Sequence, residues 1–187
     1  MSAGSRGGSD DRPARLEGRH VVLRPLGPED VERVAAIQAE PGVVGWWGPP
    51  DEDGLRRQAE DASDEKAFAI EAEGELIGLI QYHEESEPDF RHAGIDLFVA
   101  ERASGRGLGT DAVRTLARYL VRERGHHRLT IDPAVDNAAA IRAYEKVGFR
   151  PVGVLRKYWR DQNGTWRDGL LMDLLASELD PAGRPRD

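Results

Sequence analysis

The chain has 187 residues, no cysteine, a formal charge of −8 and an apolar fraction of 39%. That length suits one domain with its own core. The missing cysteines exclude a disulfide framework and a thiolate metal site, and the acidic balance argues against a nucleic-acid partner held by phosphate contacts. No apolar run approaches the ~20 residues needed to span a bilayer, and the N-terminus lacks the apolar core of a signal peptide. The expectation is therefore a cytoplasmic protein without a membrane partner, acting as a monomer or homodimer. Its acidic surface either aids solubility or suits a cationic partner.

Both ends are rich in Gly, Ser, Pro, Arg and Asp. They carry too little apolar surface to offset the entropy of ordering, so residues 1–14 and 179–187 read as tails around a single domain, 15–178. Residues 20–26 read as a strand ending near Pro25. A helix then starts at Pro28, with Glu29 and Asp30 in its first turn and Val31, Val34 and Ala35 on one face. Residues 41–51, with three prolines, three glycines and the pair Trp46-Trp47, read as a loop. A short polar helix follows.

Residues 67–72 and 76–83 form the arms of a hairpin around Glu73-Gly74-Glu75, and 84–93 an acidic loop. Residues 94–101 alternate as a strand, with Ile95, Leu97 and Val99 on one face and Asp96 and Phe98 on the other. A helix over 109–122 carries Val113, Leu116, Ala117, Leu120 and Val121 as one apolar stripe. His126-His127 lack ligand-spaced partners and read as a solvent-exposed turn. A strand stops at Pro133, and a helix runs from a cap at Asp136 or Asn137 to Gly148. Two closing strands flank a turn at 161–164. The order β-α-α-β-β-β-α-β-α-β-β makes an α/β domain with one mixed central sheet.

Chemistry concentrates in two places. Ser104-Gly105-Arg106-Gly107-Leu108-Gly109-Thr110 is a glycine-rich turn running into a helix N-terminus. Glycines let the backbone approach closely and take positive φ, free N–H groups and the helix dipole point outward, and Arg106 adds a charged donor. This is an anion site or a plain structural turn. The turn has neither a P-loop ending nor dinucleotide-fold spacing. The second place is Asn137 through Phe149, with Tyr144 seven residues after Asn137. Tyr144 is either a core residue or a proton donor, and Asn137 a cap or a ligand contact.

Together these motifs resemble the GNAT superfamily of acyl-CoA-dependent N-acyltransferases, over about residues 20–175. The family motif R/Q-x-x-G-x-G/A matches at its glycines, with Ser104 in place of Arg or Gln. The resemblance implies the GNAT fold, a mixed sheet splayed between its fourth and fifth strands and flanked by helices. It also implies acetyl-CoA as cofactor, touched by Leu97, Phe98, Val99, Gly105, Arg106, Gly107, Leu108, Gly109, Thr110, Asn137, Ala140 and Tyr144. Tyr144 is then the candidate general acid for the leaving thiolate.

Trp46-Trp47-Gly48, Gly94-Ile95-Asp96 and Asp132-Pro133 through Gly148-Phe149 narrow the resemblance to the aminoglycoside 6′-N-acetyltransferases, a branch associated with antibiotic resistance. That implies a cationic small-molecule amine as substrate, with Asp96 as candidate base. Trp46, Trp47, Phe90, Asp132 and Asp168 would bind the acceptor by ion pairing and cation–π contact. Glu84, Glu85 and Asp89 rim the mouth or form a solvated loop. The opening and closing segments look more like the branch that acetylates protein N-termini. Other readings are a ribosomal-protein N-terminus or a lysine-like amine as acceptor, or an acyl-CoA-binding module without turnover.

Overall fold

The computed structural model describes residues 15–179. An eight-stranded sheet runs through it in the order β1-β2-β3-β4-β5-β6-β8-β7. The strands are β1 (Leu16–Glu17), β2 (Val22–Pro25), β3 (Lys66–Ala72), β4 (Glu75–Glu85), β5 (His92–Val99), β6 (Arg128–Ile131), β7 (Arg150–Arg160) and β8 (Trp166–Leu175). Every neighbouring pair is antiparallel except β5 with β6. This is the mixed sheet expected of the GNAT fold.

The helices are α1 (Val31–Gln38), α2 (Pro41–Trp47), α3 (Glu52–Ala59), α4 (Leu108–Arg122) and α5 (Ala138–Val147). They cover both faces of the sheet, so its central strands are apolar on both sides. Phe68, Ile80, Tyr82 and Ile95 face one core together with Val113, Leu116 and Leu120 of α4 and Tyr144 of α5. Ala67, Ala69, Leu79 and Phe98 face a second core under α1–α3, with Val34, Ile37, Val43 and Leu55. The stripe expected on α4 is buried at Val113, Leu116, Ala117 and Leu120. Leu179, taken from sequence as the first residue of a tail, is buried in the first core; the other tail residues lie outside the described range.

Three sequence expectations are corrected. Residues 41–47 are a helix, not a loop. Pro41 sits at its first turn, where a missing N–H costs nothing, and the glycine at its end, Gly48, has φ 89°. Packing outweighs poor propensity: Val43 is buried, and Trp47 meets Phe98 edge to face at 5.0 Å. Glu84 and Glu85 end β4 rather than opening a loop. His126 is buried, not exposed, and its Nε2 lies 2.6 Å from Glu84, which also accepts from Arg124 at 2.7 Å. Glu84 thus anchors the α4–β6 connection and does not rim the cleft. The hairpin at Glu73-Gly74 is as expected; both residues have positive φ, 55° and 80°, which suits a two-residue turn.

Gly78 lies hard against the β5 backbone: a Cβ there would lie 2.2 Å from the Phe98 carbonyl oxygen. Next to it the β3–β4 register shifts by a bulge at Ile70/Glu71. Gly78→Ala is expected to cost about 1–3 kcal/mol by forcing this ladder apart, read as a lower urea midpoint at an unchanged slope.

Candidate active site

The site begins where two strands stop pairing. β5 and β6 are joined only at Ala93–Leu129 and Gly94–Thr130. Beyond Gly94, β5 keeps its β4 partner through Val99, while β6 turns its other edge to β8. The strands splay, and the β5 edge facing the gap has backbone groups without a ladder partner. A cleft of about 460 Å³ fills this gap and the surface around it.

At the C-terminal end of β5 stands the glycine turn. Gly105 has φ 72° and Gly107 has φ 79°, and no atom lies within 4 Å of where a Cβ would sit on either. Gly107 is the N-cap of α4 and offers no side chain to its first turn, so the leading N–H groups of α4 remain available to an anion. Gly109 packs near Leu97 and Val99, a Cβ there lying 3.8 and 3.9 Å from their methyls; this seats the helix start against the splayed strand. Arg106 pairs with Glu73 at 3.2 Å on the surface, an exposed contact that a stronger anion displaces at little cost. An open cradle, positive-φ glycines and an uncapped helix start fit the pyrophosphate of acetyl-CoA. Asp111, buried in the same first turn, accepts from the backbone of His20 (2.7 Å) and Val21 (3.2 Å) and ties α4 to the chain leading into β2.

Asp96, Leu97, Asp132, Asn137, Ala140, Tyr144, Trp46 and Trp47 all line the one cleft. Asn137 caps α5 through Oδ1, which accepts from Ala140 N at 3.1 Å; the cap does not use its amide N–H₂ group and the residue lines the cleft, so the two readings of this residue are compatible. Tyr144 is buried, and burial, with Asp96 and Asp132 nearby, raises its pKa and keeps the phenol protonated.

Asp96 points away from the α4 core, on the face of β5 that carries Phe98. Burial, then Asp132, then Glu65 push its carboxyl up to about 7, against a hydrogen bond from Gln81. Asp132 is also raised, by burial first, and opposed by a hydrogen bond from Tyr158. The Tyr158 hydroxyl donates to Asp132 Oδ2 at 3.2 Å.

Two expected members stand elsewhere. Phe90 is 71% exposed in the loop before β5. Asp168 does not line the cleft: its Oδ1 accepts from Lys157 N at 2.7 Å, at a bulge where Lys157 has φ 51°. That bulge lays the Tyr158 ring over Gly169, a Cβ there meeting it at 2.9 Å. Asp168 therefore supports Tyr158 from behind.

Several residues in or near the cleft escaped sequence reading. Gln81 lies opposite Asp96 across the β4–β5 ladder, and its polar side chain within an apolar strand was a legible signal. The His83 ring lies across Gly94, a Cβ there coming within 2.1 Å of Cε1, which explains glycine at that position. Tyr158 depends on a bulge that has no sequence signature.

Comparison with known proteins agrees with this geometry. Residues 20–150 match the family model described as an acetyltransferase (GNAT) domain. An aminoglycoside N(6')-acetyltransferase type 1 from Klebsiella pneumoniae is 28% identical over 158 residues, covering 72% of this chain and 76% of the relative. The solved structure of an aminoglycoside acetyltransferase, AAC(6')-Ib, in complex with coenzyme A is similar at a TM-score of 0.70 and 26% identity, covering 84% of this chain and 97% of that one. A ribosomal-protein-S5-alanine acetyltransferase from Vibrio fischeri shares the fold at a TM-score of 0.75 and 18% identity, over 90% of this chain and all of that one.

The raised Asp96 carboxyl has a stability consequence. Below its ordinary value of 3.8 the group is protonated both folded and unfolded. Between there and about 7 the unfolded chain ionises while the folded one keeps the proton, so stability falls as pH rises and the loss is complete above about 7. Asp96→Asn removes that loss. The variant is expected to melt higher than the parent at pH 8, with the gap nearly closed at pH 4, by paired thermal melts.

Proposed function

The chain belongs to the GNAT acetyltransferases, with acetyl-CoA as cofactor, and on that premise we propose that it acetylates the 6′-amine of aminoglycosides. The observation that carries the reading is the pairing of Asp96 and Asp132 in one cleft beside Trp46 and Trp47. Two carboxylates with indole faces suit a polycationic amine by ion pairing and cation–π contact. The relationship to the Klebsiella pneumoniae enzyme supports the same acceptor class.

When bound, acetyl-CoA supplies the acetyl group as an activated thioester. The chain's own residues do the rest. The glycine turn and the α4 N-terminus take the negative charge of the cofactor, and unpaired N–H groups on the β5 edge orient the reacting end. Asp96, with a carboxyl near 7, holds a proton about as readily as it releases one. At neutral pH its Oδ atoms accept the proton that the acceptor ammonium must lose. An incoming cation favours the ionised carboxylate, so acceptor binding itself readies the base. Asp132, oriented by the Tyr158 hydroxyl, anchors a further ammonium. Tyr144 keeps its Oη proton and presents it inside the cleft as the general acid.

A second reading is a protein N-terminal amine. It is favoured by the outer strand β7, whose Val152 and Val154 are more than half exposed. Among the described residues β7 pairs only with β8, and its other edge offers a place for an extended peptide.

A CoA-release assay with kanamycin, tobramycin, a 6′-hydroxyl aminoglycoside, spermidine, lysine and N-terminal peptides separates these readings. Turnover of kanamycin and tobramycin but not of the 6′-hydroxyl compound is expected. Turnover of peptides alone would move the acceptor to a protein N-terminus, and binding of acetyl-CoA without CoA release from any amine would mark a non-catalytic module. Asp96→Asn is expected to lower kcat on the order of 100-fold or more, and Tyr144→Phe to a similar degree, with acetyl-CoA affinity held within a few-fold. An equal loss of cofactor affinity in Asp96→Asn would remove Asp96 from the acceptor side.

A further inference from the structure

Gln58 and Gln81 are both buried, at 8% and 9% exposure, beneath α3 and the sheet. Their neighbours include Leu55, Leu79 and Trp47 around a cavity of about 220 Å³ that adjoins the main cleft. Burying two primary amides is unfavourable unless each polar atom is bonded. Here the bonds form a directed series. Gln58 Nε2 donates to Glu65 Oε2 at 2.7 Å and to Gln81 Oε1 at 2.8 Å. Gln81 faces Asp96 across the β4–β5 register, where its amide favours the ionised carboxylate.

The direction of the series is forced. A carboxylate can only accept, so Glu65 obliges the Gln58 amide to turn its N–H₂ group inward. Both hydrogens of that group are then spent, one on Glu65 and one on the Gln81 carbonyl. With its oxygen engaged, Gln81 can turn only its N–H₂ group toward Asp96. Without Gln58 the Gln81 amide could reverse and set its carbonyl against the carboxylate.

We propose that Glu65, Gln58 and Gln81 are positioning residues that hold a fixed amide donor against the Asp96 carboxylate, and so set its orientation and its readiness to accept a proton. The inference rests on the acceptor-side role of Asp96 proposed above. Two effects of opposite sign act through the one series. The Gln81 donor favours the ionised carboxylate, whereas the negative charge of Glu65 disfavours it. The other groups facing Asp96 are Asp132 beyond β6, Tyr144 on α5 and Tyr158 on β7; His83 on β4 faces Asp132. All of these stay in place in each variant below.

The test is a titration of the Asp96 carboxyl by carbon NMR of aspartate-labelled protein, with the resonance assigned by its loss in Asp96→Asn. It needs no acceptor or cofactor. Gln58→Met removes the group that orients Gln81 at nearly constant volume, and the Asp96 titration is expected to move up by roughly half to one pH unit. Glu65→Gln keeps a carbonyl oxygen to accept from Gln58 and removes only the charge, so the titration is expected to move down. Shifts in the same direction, or no shift in Gln58→Met, would overturn the proposal. If Gln58→Met does not fold, Gln81→Met removes the donor directly and is expected to move the titration up; no upward movement would overturn the proposal equally. With kanamycin as acceptor, the acid limb of kcat/KM is expected to move in the same sense as each titration. Opposed titration shifts in a protein that turns over no amine would leave the series standing and count against the acceptor reading instead.

Discussion

Two residue pairs hold β5 to β6, and everything that can bind depends on their being only two. A parallel pair that zipped to its end would satisfy its backbone groups and close the sheet. Here β6 leaves for β8 while β5 continues along β4, so one edge of a central strand is left with donors and acceptors that need partners. The glycine turn sits at the far end of that same edge, held there by the packing of Gly109 near Leu97 and Val99. An anion cradle and a row of free backbone groups thus lie in line, which is the shape of a long cofactor with a phosphate end and a reactive end.

In the proposed reading, the acceptor meets Asp96 and Asp132, and the chemistry there is electrostatic. Asp96 and Asp132 are placed where burial resists charge, and each carries one neutral donor, from Gln81 and Tyr158 respectively. Neither is neutralised by a basic side chain through an ion pair among the described residues. Some carboxylates that serve the fold do have such a partner: Asp30 and Glu71 share Arg24, and Glu84 has Arg124. In the proposed reading, the absence of such a partner leaves Asp96 and Asp132 available to a cation from outside. It also means that the site is held at some expense in stability, as strained or charged functional sites commonly are.

Much of this was legible in the residues. The apolar stripe of α4, the hairpin at Glu73-Gly74, the alternation that sends Asp96 away from Ile95 and Leu97, and the glycine run before α4 are all local patterns with one stable outcome. Helix α2 was not legible. Prolines, glycines and β-branched residues disfavour it locally, and it forms because Trp47 and Val43 find a core to enter. His126 looked like half of an exposed pair, and only the distant Glu84 reveals it as a buried anchor. Asp168 carries the same lesson: by sequence its carboxylate is a substrate candidate, and in the fold it braces the bulge that delivers Tyr158.

By itself, the sequence determined which segments become helices and strands where periodicity is strong, where an anion could bind, and which carboxylates leave the core face. Those properties follow from side-chain spacing along one element. Only the tertiary structure decided which of those groups meet. The alignment of Gln81 with Asp96 is a matter of strand register, the reach of Gln58 depends on how α3 lies across the sheet, and Tyr158 arrives through a bulge. Each is a contact between residues far apart in the chain, fixed by packing across the sheet rather than by any pattern within a segment.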